Sequence, residues 1–174
     1  NLAIFSAPSL TLVEGSIQMH SNNGLEEVYF DSLDTVEGEI RLESNNSVEA
    51  LSFPSLTTLD SQFYLYYNTS LETVHLDQLI EIGSSLYLQN NYAMEEFNVP
   101  SLVAVNGSVY VYSSNQMSEV NMPALEEVNG SFNVSNMSQL ETLSAPLFYD
   151  LSGSLTIRDN GDLSFVDLSS LPCL

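Results

Sequence analysis

An apolar residue recurs every 23 positions from one end of the chain to the other: Leu2, Leu25, Val48, Leu71, Met94, Met117, Leu140 and Leu163. No insertion breaks the count. Such a period is foreign to a domain built around one central core, where successive segments meet different surroundings. It belongs to stacked units, each offering the same inward face to a continuous column.

With Leu2 as position 1, the unit is apolar at positions 1, 4, 6, 9, 12, 16 and 18, as in Leu71, Val74, Leu76, Leu79, Ile82, Leu86 and Leu88. Spacings of two place alternate side chains on one face, which is the strand period. A helix of ordinary length needs about 10–12 residues of 3.6 periodicity, and no part of the unit supplies them. Each unit therefore predicts a coil of two or three short strands joined by turns. The fold class expected is all-β, a parallel β-solenoid of 23-residue coils, wound right-handed by the crossover rule. At a strand spacing of about 4.8 Å, seven units and a partial eighth make a rod of roughly 35 Å.

The corners are marked by composition. Position 7 holds Pro8, Pro54, Pro100, Pro123 and Pro146, with Asp31 and Asp77 between them; proline gives no amide to a ladder and ends the strand before it. Position 14 holds Gly15, Gly38, Gly107, Gly130 and Gly153, which predicts a corner with positive φ or close backbone approach. Positions 20–22 are rich in asparagine, from Asn22 and Asn45 through Asn68 and Asn91 to Asn160. Asparagines stacked at a corner can bond the backbone of their own and neighbouring coils.

The whole of 1–174 reads as one continuous solenoid, an excerpt of a longer chain, since the repeat begins at once and stops in mid-unit at Pro172, Cys173 and Leu174. Cys173 either pairs with a cysteine in a cap beyond this segment or is a small core residue. No apolar run reaches the ~18 residues of a membrane span, so no direct membrane insertion is expected. The net charge is −21, with Arg41 and Arg158 the only cations besides histidine. That charge disfavours nucleic acid and anionic membrane surfaces as partners. It suits divalent cations, a basic partner or a saline setting.

Six Asn-x-Ser/Thr sequons occur, at Asn45, Asn68, Asn106, Asn129, Asn133 and Asn136, against roughly three expected by chance. All six are expected at turn or outward positions, carrying N-glycans on a secreted eukaryotic surface protein. Outward positions also form rows. Position 2 reads Glu26, Glu49, Glu72, Glu95, Ser118, Glu141. A solvated acidic face is one reading of that row and Ca2+ binding the other, but calcium takes its oxygens from a shaped loop and a flat row is not one. Position 17 carries Tyr64, Tyr87 and Tyr110, flanked at position 19 by Tyr66 and Tyr112. These five tyrosines are either a structural ladder or a binding face for a saccharide or protein.

No catalytic residue is expected. His20 and His75 occupy different outward positions without a nucleophile beside them, and no metal-spaced cluster or phosphate-cradling loop is present. A carboxylate pair for glycoside chemistry would need long loops that interrupt the repeat, and this repeat is uninterrupted.

The runs LETVHLDQLIEIGSSLYLQNN and MEEFNVPSLVAVNGSVYVYSSNQ resemble the receptor L-domain class of leucine-rich solenoids. The likeness covers essentially the whole chain and is greatest to glycosylphosphatidylinositol-anchored cell-wall proteins of fungi and surface proteins of protists and algae. It implies a secreted, non-enzymatic, glycosylated wall or surface protein, and transfers no individual functional residue. The expectation is an extracellular structural or adhesive repeat protein of a wall, coat or filament, partnered by its own copies, other surface proteins or glycans. A ligand-binding receptor ectodomain using the tyrosine face is the alternative, and a polysaccharide-active enzyme a distant one.

Overall fold

Alternation of apolar and polar residues over three or four positions, closed by a proline or a polar corner, leaves room only for short strands. The computed structural model, which describes residues 2–172, contains 22 of them and no helix. The two expectations for Cys173 lie outside the described residues.

Each complete coil contributes three strands. In the first coil they are Ile4–Ser6, Leu12–Val13 and Ile17–His20. Successive coils repeat them, so the column has three walls. All pairing is parallel and offset by one repeat: Leu86 lies opposite Val109 on one side and Phe63 on the other. The second wall runs through seven strands from Leu12–Val13 to Asp150–Leu151, and the third through seven from Ile17–His20 to Leu155–Arg158. This is the expected parallel β-solenoid.

The first wall is different. It is two four-stranded sheets, with the break between Thr73–His75 in the fourth coil and Glu96–Asn98 in the fifth. Elsewhere on this wall the amide at position 2 reaches back to the preceding coil, as in Glu49 to the Glu26 carbonyl at 2.7 Å, Glu72 to Glu49 at 2.9 Å and Ser118 to Glu95 at 2.8 Å. The amides of Glu95 and Glu96 make no such bond to Glu72, nor does the Leu76 amide reach the Asn98 carbonyl. Behind the break Val74 is only half-buried, whereas its counterparts Leu51 and Phe97 are in the core.

The seven apolar positions face inward. In the central coils all but the half-buried Val74 are sealed from solvent, and one continuous cluster runs from Ile17 to Phe148. Phenylalanines from successive coils stack within it, Phe30 on Phe53 with ring centres 5.0 Å apart.

Position 21 is an eighth inward position. Asn45, Asn68, Asn91 and Ser114 are fully buried there. The Asn68 side-chain oxygen accepts the Asn45 amide at 3.0 Å, and the Asn68 Nδ2 donates to the Leu42 carbonyl at 3.1 Å. Asn91 does the same for the Asn68 amide and the Leu65 carbonyl, both at 3.1 Å. The stack ends at Met137, whose own amide is accepted by Asn160 at 3.1 Å. A buried amide needs a partner, and here each asparagine serves two coils.

The left-handed backbone falls one position earlier than the ladder. Among the described residues seven have positive φ, all at position 20: Ser21, Ser44, Tyr67, Asn90, Ser113, Asn136 and Asp159. No glycine does. Of the two expectations for the position-14 glycines, close approach is therefore the one the structure supports: a Cβ on Gly107 would lie 2.8 Å from the Ser84 backbone, and one on Gly153 2.5 Å from the Gly130 carbonyl oxygen.

Candidate functional site

The third wall holds the tyrosines. Its four-residue strands point positions 16 and 18 into the core and positions 17 and 19 to solvent. Tyr64 and Tyr66 project from Phe63–Tyr66, Tyr87 from Leu86–Gln89, and Tyr110 and Tyr112 from Val109–Tyr112. All five are half-buried. Tyr64 lies 5.6 Å from Tyr87 and 6.1 Å from Tyr66, and Tyr87 stacks on Tyr110 at 4.9 Å with an interplanar angle of 14°. Tyr112 joins by its hydroxyl instead, which donates to Gln89 Oε1 at 2.7 Å.

Arg41 closes one end of the row. Its guanidinium sits 4.2 Å from the centre of the Tyr64 ring and donates to Glu43 at 2.6 Å. That bond holds Arg41 above its ordinary pKa. Glu39 beside it accepts from Gln62 and Gln18, and these bonds hold its carboxyl below the ordinary range. Burial in the row pushes the phenols of Tyr64 and Tyr112 up from 10.0. Tyr149, away from the row, is also raised, by its bond to Glu127.

The stacking limits what the row can do. A pyranose binds an aromatic ring on its face, and the facing surfaces of Tyr87 and Tyr110 are covered by each other. No family model, no curated protein and no solved structure matches this chain.

Two tyrosines outside the strand alternation extend the aromatic tract round the corner. Tyr67 lies 6.0 Å from Tyr66, and Tyr92 meets Tyr67 edge-on at 6.1 Å and 78°. They are 40% and 36% exposed, more than any tyrosine of the row. Tyr67 is also the one bulky residue among the seven with positive φ, at 56°. A left-handed conformation costs an L-residue roughly 1–2 kcal/mol, and asparagine adopts it more readily. The sequence signal was available: tyrosines at positions 20 and 22, next to three at position 17.

The sequons divide. Asn106, Asn129 and Asn136 are exposed, and Asn133 is half-buried on the third wall. Asn45 and Asn68 are 0% exposed, and their Nδ2 atoms, where a glycan would attach, donate to the Met19 and Leu42 carbonyls at 2.9 and 3.1 Å. These two lie at the corner, one of the two expected placements, but point inward. The Asn-x-Ser/Thr pattern coincides there with the inward ladder.

The glutamates of position 2 are exposed on the first wall. Where that wall parts, a groove of ≈ 350 Å³ opens, lined in part by Glu72, Glu95, Glu96 and Ser118. A smaller recess of ≈ 90 Å³ beside it includes His75 and Asp77. Among the described residues no three His, Cys, Asp or Glu side chains are grouped closely enough to hold a metal ion. His20 stands 3.8 Å from Glu43. His20 is on the third wall and His75 on the first, so the structure does not bring them together. Among the described residues no helix is long and apolar enough to cross a membrane.

Proposed function

We propose that this chain is a structural or adhesive segment of an extracellular surface, a stiff non-catalytic solenoid of a wall, coat or filament. The observation that carries the reading is the unbroken register: every pairing joins residues 23 apart, on two walls through all seven coils. A chain that held a reaction centre would spend residues on loops that leave the repeat, whereas this one spends them on ladders. The finer resemblance, to leucine-rich L-domain repeats of anchored wall proteins, fits an acidic surface with sequons at Asn106, Asn129, Asn133 and Asn136, and it belongs to the proposal. Partners on this reading are its own copies, other surface proteins or glycans.

A second reading, a ligand-binding ectodomain, draws on the contact between Arg41 and Tyr64, since a cation over a ring at the end of an aromatic row is a common recognition element. The test for the first reading is retention of the purified, labelled chain on intact walls and cell surfaces, with assembly followed by negative-stain microscopy. Retention, or rods and filaments, is expected. A chain that stays monomeric at high concentration and is retained on none of these surfaces overturns the reading. Tyr87→Ser with Tyr110→Ser separates the second, because a receptor using that wall loses its ligand while melting stays cooperative.

A further inference from the structure

The corner that follows the third wall is neutral in an otherwise acidic chain. Positions 20–23 of the first six coils, from Ser21–Gly24 to Asn136–Gln139, contain no carboxylate and no cation, although the chain carries −21. In the second to fifth coils the residues turned outward are amides, hydroxyls, two tyrosines and Ala93. Asn115 is exposed, and Asn46, Thr69 and Asn90 are half-buried. The Thr69 hydroxyl donates to Asn46 Oδ1 at 3.2 Å, which fixes that amide with its Nδ2 donors left for other partners. Tyr67 and Tyr92 stand in the middle of the strip.

We propose that this strip binds an uncharged polysaccharide lying along the solenoid axis, gripped by Tyr67 and Tyr92. Three observations converge on that class of ligand. The two rings meet edge-on, so at most one of them turns a face to the other, whereas the stacked Tyr87 and Tyr110 each lose one, and a ring face is what the C–H side of a pyranose packs against. Amides and hydroxyls without charge match sugar hydroxyls. The glutamates that follow each corner, Glu49, Glu72 and Glu95, repel an anionic glycan, and a basic protein would settle on that row instead. The strip repeats every ~4.8 Å, close to the length of one extended β-linked hexose, so successive coils meet successive sugars. Tyr67 occupies a backbone conformation that serine, asparagine or aspartate fills in the other six coils. A bulky residue kept at such a position marks a functional constraint.

The assignment rests on the adhesive reading and names its ligand. The test is calorimetric titration of the chain with cello-, laminari- and chito-hexaose, with oligogalacturonate as the anionic control. Binding of at least one neutral hexasaccharide and none of the anionic one is expected. Tyr67→Ser with Tyr92→Ser weakens it about tenfold, whereas Tyr149→Ser, at an exposed tyrosine away from the strip, leaves it unchanged. Tyr67→Asn weakens binding and raises the melting temperature, which separates a contact role from a structural one. Failure of all three neutral sugars to bind at millimolar concentration overturns the proposal, as does wild-type affinity in the double serine variant. A chain still retained on walls after enzymatic removal of their neutral glycans overturns it in favour of a protein partner and leaves the adhesive reading standing. A chain that binds no sugar and is retained on nothing overturns both.

Discussion

At the junction of the fourth and fifth coils, two walls of the column are joined and one is not. On the third wall, Leu86–Gln89 pairs with Val109–Tyr112 along its whole length, and on the second, Glu81–Ile82 pairs with Ala104–Val105. At the corner between the third wall and the first, the Asn91 amide is accepted by Ser114 at 3.2 Å. On the first wall the strands have parted. All these segments obey the same sequence pattern. Pattern therefore sets which residues face inward, while continuity between coils is decided junction by junction. Two walls and a buried side-chain ladder suffice to carry the column past the gap.

Hydrogen exchange should show the largest contrast. The amides of Thr73 and Phe53, bonded across intact junctions at 3.1 and 2.9 Å, should exchange on the order of a thousandfold more slowly than those of Glu96 and Leu76 at the parted one. Equal protection would mean that the wall is closed in solution. Next is the core behind each wall. Leu88→Ala on the closed wall removes a side chain that is 0% exposed, and about 3–4 kcal/mol of stability should be lost in urea unfolding. Val74→Ala behind the gap should cost about 1 kcal/mol. Similar costs would erase the distinction between the walls.

Asn91→Ala orphans the buried Asn68 amide and Leu65 carbonyl, so a loss of about 2–3 kcal/mol is expected. Asn98→Ala, exposed beside the gap, should change stability by less than about 0.5 kcal/mol. If the two variants melt together, the ladder is not what carries the junction. The last contrast is at the glycine corner. Gly107→Ala drives a methyl against the Ser84 backbone and should cost about 1–3 kcal/mol. Gly15→Ala, with nothing within 4 Å, should be neutral to about 0.5 kcal/mol. A neutral Gly107→Ala would show that the closed side can yield as well.

The coil and its inward face were legible because the seven apolar positions recur without a slip. The corner was half legible. Stacked asparagines were readable as a ladder, but their side was not: a polar residue in a turn is ordinarily solvated, and only the packing of neighbouring coils shows Asn45 and Asn68 pointing in. The glycines announced a special position without saying which of two reasons applied, and Ser44, Tyr67 and Asn90 hold the positive φ instead. Tyr67 and Tyr92 escaped notice because they lie off the alternation that picked out Tyr64, Tyr87 and Tyr110. The gap was not legible, since Thr73–His75 and Glu96–Asn98 fit the pattern as well as any strand that pairs.

The parted wall also has a mechanical meaning. Bonds between coils run along the column, so a bending load stretches those on its convex side. At every other junction of the first wall that stretch is resisted by backbone bonds, and between the fourth and fifth coils it is not. A rod pushed sideways so that this wall lies outermost should yield there first, pivoting on the second and third walls, while the same push from the opposite side meets closed sheets along the whole length.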